Sequence, residues 1–237
     1  MRPKTINSIY NMSFTTLPFT GIWREVFGEP EDNGAWLLYG TEKQGKTTLA
    51  LMLAKYLCTF KEVLYISGEE GFSKNIQETC MRVNIPAKSA IRISEYVPIV
   101  KLEEKLHQRR SPSIIILDNF TIYSDELTYG RLNKLLKDFP DKLFVCIAHE
   151  EKGLPYTSSA KLCAKLAKVK IHIKGLAAFV EGRCPGGHIV INEEKAQLYW
   201  GNELSESRFT ALEDLHNYNK STFPKSETLE KAKTKRK

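Results

Sequence analysis

A glycine-rich segment that joins an apolar run to a helical pattern limits the folds open to this chain more than any other feature. Residues 40–47 read G-T-E-K-Q-G-K-T and fit the pattern G-x-x-x-x-G-K-[ST]. Apolar residues 35–39 precede them, and a helical pattern over residues 47–58 follows. A strand, a tight loop and a helix in this order turn backbone N–H groups toward a phosphate and add the positive end of the helix. A plain glycine-rich turn is the alternative.

The loop pattern also predicts the roles of individual residues. In such a loop Lys46 would contact the β- and γ-phosphates of a nucleotide, and Thr47 would hold Mg²⁺. The predicted phosphate-binding residues are Gly40, Thr41, Glu42, Lys43, Gln44, Gly45, Lys46, Thr47 and Thr48.

Apolar runs alternate with helical patterns over more than half of the chain. The predicted strands are residues 35–39, 63–67, 91–94, 113–117 and 143–148, and the predicted helices are residues 47–58, 73–84, 98–110 and 127–137. Continuous apolar runs indicate strands buried on both faces, so we expect an α/β fold with a mostly parallel twisted sheet flanked by helices. Residues 169–173, 176–180, 188–192 and 197–200 follow with short turns, which predicts an antiparallel meander at the edge of the sheet.

Length and charge favour one domain with a basic end. We divide the 237 residues into a lead-in (1–34), a core domain (35–204) and a C-terminal helix with a basic flexible tail (205–237). Residues 220–237 contain seven Lys or Arg and two Glu, so most of the net charge of +7 lies there. Such a tail is either a solvated segment or an arm that binds phosphates or a protein partner.

Cysteine spacing and hydropathy predict a reducing compartment. The cysteines form no C-x-x-C pair and are widely spaced, at Cys58, Cys80, Cys146, Cys163 and Cys184. This pattern is typical of free thiols in a cytosol-like compartment. No run comes near the roughly 18 apolar residues that a membrane helix needs, and the first residues lead into no secretory signal. We therefore expect a cytoplasmic protein that does not contact a membrane.

Polar residues follow three of the predicted strands and are candidates for metal binding and catalysis. Asp118 ends an apolar strand and suits a carboxylate that orients Mg²⁺, although an Asp here can also cap the next element. It would meet the phosphate loop at one edge of the sheet if the two strands are neighbours. Glu69 and Glu70 follow the second predicted strand, and either could activate a water molecule; an acidic turn is the alternative. His149 follows the fifth strand and suits either a γ-phosphate contact or a structural hydrogen bond.

These motifs in this order resemble the RecA superfamily, and within it the RadA, DnaB and KaiC branches of ring-forming ATPases. The similarity covers residues 17–200 and begins with the lead-in L-P-F-T-G-I. The segment V-L-Y-I-S-G-E-E of residues 63–70 is close to the RadA segment that carries the catalytic glutamate. Asp118 matches the metal-site aspartate of the family, and His149 matches its γ-phosphate sensor.

The resemblance also implies a contact between subunits. The segment V-E-G-R-C-P-G-G of residues 180–187 is similar to the Lys-x-Arg-x-Gly turn that reaches the neighbouring subunit's nucleotide in these rings. It implies that Arg183 is an arginine finger that acts in trans. Glu181 stands where the family usually has Lys, and an Arg183 that is merely exposed on a hairpin is the alternative.

By this resemblance we expect Mg²⁺-dependent hydrolysis of ATP in a homo-oligomer, either a ring of six or a filament. The leading function is a motor or remodeller that acts on nucleic acid, with single-stranded DNA as the expected partner. Candidate contacts are Lys152, in a loop over residues 150–159, and a basic helical stripe of Lys161, Lys165 and Lys168, which also suits a solvated face. The alternative is a regulatory switch whose ATP state controls a protein partner, with the basic tail as a docking segment. A small-molecule kinase is less favoured because no arginine-rich lid segment is visible.

Overall fold

The structure, a computed structural model, describes residues 3–128 and 130–204. Its helices are α1 (Ile6–Tyr10), α2 (Gly21–Phe27), α3 (Lys46–Leu57), α4 (Lys74–Arg82), α5 (Ile99–Leu106), α6 (Arg131–Asp138), α7 (Ser158–Leu166) and α8 (Glu193–Trp200). Its strands are β1 (Gly34–Gly40), β2 (Val63–Ser67), β3 (Ile91–Glu95), β4 (Ile114–Asp118), β5 (Leu143–Glu151), β6 (Leu154–Pro155), β7 (Val169–Lys174), β8 (Ala177–Gly182) and β9 (Gly187–Val190). Short 3-10 helices cover Phe120–Tyr123 and Gly201–Leu204.

The strands form one sheet, and its order decides which strand ends can meet. Within the described residues the order is β3-β2-β4-β5-β1-β7-β8-β9, and β6 pairs with the end of β5. The pairs from β3 through β7 are parallel, whereas β7, β8 and β9 pair antiparallel. The predicted α/β fold with a mostly parallel sheet and an antiparallel edge is confirmed. We call the side where the parallel strands end the carboxyl edge and the opposite side the amino edge.

Hydrophobic layers cover both faces of the sheet. Strands β2 and β4 are buried along their whole length because α3 covers one face and α5, α6 and α7 cover the other. The lead-in belongs to the α3 layer, where Phe19, Trp23 and Phe27 pack on Trp36 and Tyr56. Rings of this size bury about 150–250 Å² each, so the aromatic cluster fixes α2 against β1 and α3.

The end of the meander differs from the sequence prediction. Residues 197–200 belong to helix α8 and do not form a strand. The Asn192 side chain accepts a hydrogen bond from the backbone N–H of Lys195 and caps the helix, and Glu193 and Glu194 lie in its first turn. A polar N-cap followed by acidic residues stabilises a helix start, which outweighs the strand pattern of the last four residues.

Two further segments have other boundaries than predicted. The helix expected from residue 127 begins at Arg131, directly after Gly130, whose φ of 81° starts it sharply. The loop expected over residues 150–159 is instead the hairpin of β5 and β6 followed by α7.

The predicted C-terminal helix and basic tail, residues 205–237, lie outside the described residues. Among the helices of the described part, none is long and apolar enough to span a bilayer.

Candidate nucleotide-binding site

Two glycines shape the loop between β1 and α3. Gly40 ends β1 beside β7, where a Cβ atom would lie 2.4 Å from the carbonyl oxygen of Ile173, so the strands can pair closely only with glycine here. Gly45 precedes α3 with a φ of 94°, a left-handed conformation that glycine adopts without strain. It offers no side chain to cap the first N–H groups of α3. These groups are therefore available to an anion at the start of the helix.

The loop is also tied to the meander. The backbone N–H of Gly175, in the β7–β8 turn, donates to the side-chain oxygen of Gln44 at 2.7 Å. Gly175 itself lies under α8, because a Cβ atom there would approach the Tyr199 ring to 2.3 Å. The loop pattern leaves position 44 variable, so the sequence did not predict this link.

The Lys46 side chain is buried inside the loop. Its Nζ donates to the carbonyl oxygen of Thr41 at 2.7 Å, and the residue is only 9% exposed. Burial lowers the pKa of Lys46, while the negative charges of Asp118, Glu42 and Glu69 act in the opposite direction. The hydrogen bond to Thr41 thus holds the ammonium group inside the loop.

Asp118 meets the loop although its strand is not a neighbour of β1. The sequence predicts that Asp118 meets the loop if β4 and β1 are neighbours in the sheet. Strand β5 lies between them, so this condition is not met. The Asp118 carboxylate nevertheless accepts hydrogen bonds from the hydroxyls of Tyr65 and Thr47. Burial raises the pKa of Asp118, and these two hydrogen bonds counteract the shift by stabilising the charged form.

The donor set near Thr47 fits a magnesium ion. A threonine hydroxyl in hydrogen-bonding contact with a buried carboxylate places two hard oxygen ligands side by side. Mg²⁺ prefers such oxygen ligands and takes the remaining ones from water and phosphates. Thr47 and Asp118 are therefore the residues that would hold it. The sequence missed Tyr65, whose position in an apolar strand was the available signal because a buried tyrosine hydroxyl usually has a polar partner.

The two glutamates after β2 have different partners. The Oε2 atom of Glu69 accepts from the Asn119 amide at 2.9 Å and lies 3.5 Å from Nε2 of His149. Glu70 instead accepts from Ser73 at 3.1 Å and from Asn75 at 2.8 Å, both at the start of α4. Glu69 is thus directed toward the ends of β4 and β5, whereas Glu70 supports the following helix.

His149 lies at the carboxyl edge, where the sequence predicts it. Its backbone N–H donates to the Thr121 hydroxyl at 3.2 Å, and its carbonyl oxygen accepts from the N–H of Tyr156 at 2.9 Å. These bonds fix the backbone between the 3-10 helix after β4 and the hairpin after β5. The imidazole is about one quarter exposed and faces the Glu69 carboxylate.

A cleft of about 530 Å³ joins these groups. This volume lies within the range of about 300–1,000 Å³ that is usual for small-molecule sites. The cleft brings together the predicted residues Lys46, Thr47, Glu69, Glu70, Asp118 and His149. Its further walls, which the sequence did not predict, include Asn75, Arg82, Leu176, Ile191, Asn192 and Lys195. Asn192 was detectable as a helix-capping residue after an apolar run.

Arg183 lies far from the loop of its own chain. It follows β8, whose last residue, Gly182, pairs with Val169 at the start of β7. This position is on the amino edge, opposite the loop, and the Arg183 side chain is exposed. Glu181, in the place of the family's lysine, pairs with Lys170 across the meander.

The predicted basic stripe does not form. Helix α7 ends at Leu166, so Lys168 is not on the same helix as Lys161 and Lys165. The ammonium of Lys168 binds Glu31 at 2.6 Å and Asn33 at 2.6 Å near the amino edge. Lys161 and Lys165 are exposed, and Lys152 is exposed in the turn of the β5–β6 hairpin. A phosphate backbone could therefore contact only three of the four lysines freely.

Comparison with known proteins supports the fold. No protein-family model and no curated protein matches the sequence. Among solved structures, the flagellar accessory protein FlaH from Methanocaldococcus jannaschii is similar over 74% of this chain and 91% of its own, with 17% identity and a TM-score of 0.54. The KaiC-like protein PH0186 from Pyrococcus horikoshii OT3 covers 71% of this chain and 88% of its own, with 13% identity and a TM-score of 0.48. At this identity the likeness to FlaH shows a shared fold.

Proposed function

We propose that this protein binds ATP together with Mg²⁺ and hydrolyses it. The observation that carries the proposal is the meeting of Lys46, Thr47 and Asp118 in one cleft, with Thr47 hydrogen-bonded to Asp118. The loop amides and Lys46 would bind the phosphates, and Thr47 and Asp118 would hold the metal. Bound Mg²⁺ would supply positive charge to the phosphate oxygens.

Glu69 is the proposed general base, and Glu70 is not. A base must reach the attacking water beside the γ-phosphate, and Glu69 faces the cleft between Asn119 and His149. Glu70 uses both of its oxygens on the first residues of α4. His149, whose Nε2 lies 3.5 Å from Oε2 of Glu69, would hydrogen-bond the γ-phosphate. It would lose this hydrogen bond when hydrolysis releases the phosphate.

A second copy would complete the site through Arg183. Because Arg183 lies at the amino edge, it cannot contact the loop of its own chain. A head-to-tail contact between copies would bring it to a neighbour's γ-phosphate, and repetition of that contact gives a ring or a filament. We propose a homo-oligomer of this kind, with six copies in the ring form.

Calorimetry and mixed subunits test these two proposals. ATP with Mg²⁺ should bind the wild type and the exposed control Lys101→Ala, while Lys46→Ala should lose binding. Mixing equal amounts of Lys46→Ala and Arg183→Ala subunits should restore turnover to about a quarter of the wild-type level, since about one interface in four then joins two intact halves. Absence of ATP binding by folded wild-type protein would refute the ATP site. Absence of recovery in the mixture would refute only the role of Arg183.

For the target of the ATPase, we propose a protein partner controlled by the ATP state rather than movement along nucleic acid. The charge at the carboxyl edge supports this choice, because Lys152 lies beside Glu150 and Glu151 on the hairpin and Lys168 is engaged elsewhere. Such a surface gives little attraction for a phosphate backbone. Turnover should therefore stay unchanged when single-stranded DNA is added at low and at moderate salt. An increase of several-fold that weakens with salt would support a nucleic-acid motor instead.

A further inference from the structure

Exposed apolar side chains gather on the half of the carboxyl edge that lies away from the phosphate loop. They follow the ends of β2, β3, β4 and β5, which are neighbours in the sheet. We call this set the apolar rim; its members are Phe72, Tyr96, Ile122, Leu154 and Tyr156, with exposures of 68%, 44%, 38%, 61% and 55%. Single exposed apolar residues are common, but a contiguous group of five often marks an interaction surface.

Contacts between the loops hold together the segments that carry the rim. The terminal methyl of Ile122 lies 2.4 Å from the position of a Cβ atom on Gly68, so the β4 loop rests on the β2 turn. The ring of Tyr96 stacks on Tyr123 at 5.3 Å, which joins the end of β3 to the same loop. The hairpin that carries Leu154 is linked to this group through the backbone of residues 149 and 156.

Carboxylates surround the rim. The acidic side chains between or beside its members are Glu70, Glu95, Asp125, Glu126 and Glu151. Lys152 lies in the turn of the β5–β6 hairpin. Lys74 and Arg131 begin the helices that follow two of these loops, and they pair with Glu78 at 3.3 Å and with Glu103 at 3.6 Å. The surface is therefore both apolar and negative, and it favours a basic ligand that also carries apolar groups.

The chain itself contains a segment with these properties. Residues 220–237 carry seven Lys or Arg against two Glu, and they include Phe223 and Leu229. We propose that this basic segment binds the apolar rim of its own copy. It complements the rim in charge and in apolar character, and the covalent link keeps its local concentration high.

The path of the chain permits this contact. Helix α8 ends at the carboxyl edge, because the Trp200 indole donates to the carbonyl oxygen of Lys174 at the end of β7 at 3.3 Å. The rim begins a few strands away, and even the far strand β3 is only about 24 Å distant at the usual strand spacing of about 4.8 Å. The chain advances by 16 residues from Leu204 to Lys220 and can span about 50 Å when extended. An extended connection of this length would allow the basic segment to contact any part of the rim.

A carbodiimide that joins amines to adjacent carboxylates tests the proposal on the full-length protein without nucleotide. Mass spectrometry should find cross-links from the lysines of residues 225–237 to Glu95, Asp125 and Glu151. These should be at least several-fold more abundant than cross-links to Glu25 on α2 and Glu104 on α5, which are exposed but lie outside the rim. Raising the salt concentration should reduce the rim cross-links, since exposed charges are screened.

Two controls decide between this contact and its alternatives. The double variant Leu154→Ser with Tyr156→Ser should reduce the rim cross-links several-fold, whereas Met81→Ser, a change at another exposed apolar residue, should not. Mixing isotope-labelled and unlabelled copies should give cross-links only within one copy.

Three results would each overturn the proposal: cross-links spread evenly over the surface, cross-links mainly between copies, or an unchanged pattern in the double variant. None of these readouts depends on ATP hydrolysis.

Discussion

The hydrogen bond from Tyr65 to Asp118 gives the most specific prediction about the site. Tyr65 is fully buried on β2, and its hydroxyl donates to a carboxylate that is itself 9% exposed. Burial raises the pKa of Tyr65 well above its ordinary value, so the hydroxyl keeps its proton at all physiological pH values. Tyr65→Phe removes this donor and changes little else in shape. The Thr47 hydroxyl remains as the second donor to Asp118.

The expected cost follows from the charge of the acceptor. A hydrogen bond to a charged group contributes about 1.5–3 kcal/mol, so the variant should shift the folded-to-unfolded ratio by about 10- to 150-fold. Because the bond favours the ionised carboxylate, its contribution is present above the folded-state pKa of Asp118 and is lost as the pH falls through it. The variant should also raise that pKa further, since burial then acts with one hydrogen bond less. ATP turnover should fall at low pH when Asp118 becomes protonated, so the pH at which this fall occurs should be higher in the variant.

Urea unfolding and ATP turnover, both measured as a function of pH, check this prediction. Tyr123→Phe is the matched control, because the Tyr123 hydroxyl is also buried but donates to the neutral carbonyl of Val97 at 3.0 Å. The pKa of Tyr123 is raised to about 12, mainly by burial, so it too stays protonated. Its loss should cost about 0.5–1.5 kcal/mol with no pH dependence between pH 5 and about pH 8. Identical pH dependence in the two variants would refute the argument that Tyr65 stabilises an ionised Asp118.

Two further pairs of variants test the site and the fold. Glu69→Gln should reduce ATP turnover by about 100-fold or more at unchanged ATP affinity, whereas Glu70→Gln should keep turnover, because its oxygens bond the start of α4. Equal losses in both, measured by steady-state kinetics, would contradict the assignment of the base. Gly40→Ala should lower the free energy of unfolding by about 1–3 kcal/mol, since its Cβ would press on a backbone carbonyl of β7. Gly68→Ala should cost less in the same urea assay, because the exposed end of Ile122 can rotate away.

Strands buried on both faces were the most predictable part of the fold. Residues 63–67 and 113–117 read as continuous apolar runs because helices cover both sides of the sheet at β2 and β4, and the structure places strands there within one residue. The position of the loop between β1 and α3 was equally predictable. The motif requires glycine at both positions 40 and 45. Gly45 adopts a left-handed backbone conformation, and Gly40 allows the close approach of β7.

Segments with mixed patterns were less predictable. The residues at the end of α8 alternate weakly, and they read as a strand because the deciding interaction, the cap by Asn192, lies five residues earlier. In the sequence, Lys168 continues the helical spacing of Lys161 and Lys165. It leaves the helix because Glu31 and Asn33, more than 130 positions away in the sequence, bind its ammonium beside β1. Both errors arise where a few specific contacts outweigh periodicity.

The choice between Glu69 and Glu70 shows what sequence motifs leave undecided in a site of this kind. Two adjacent glutamates at a strand end are equivalent by spacing, and the sequence correctly placed both at the carboxyl edge. The distinction comes from Asn119 and His149, which follow β4 and β5 and therefore stand beside one glutamate but not the other. Strands β2, β4 and β5 are consecutive in the sheet, so the side chains of Glu69, Asn119 and His149 meet across neighbouring strand ends. The sheet order thus separates the surroundings of the proposed base from those of Glu70, and a motif confined to one strand and its loop contains no information about that order.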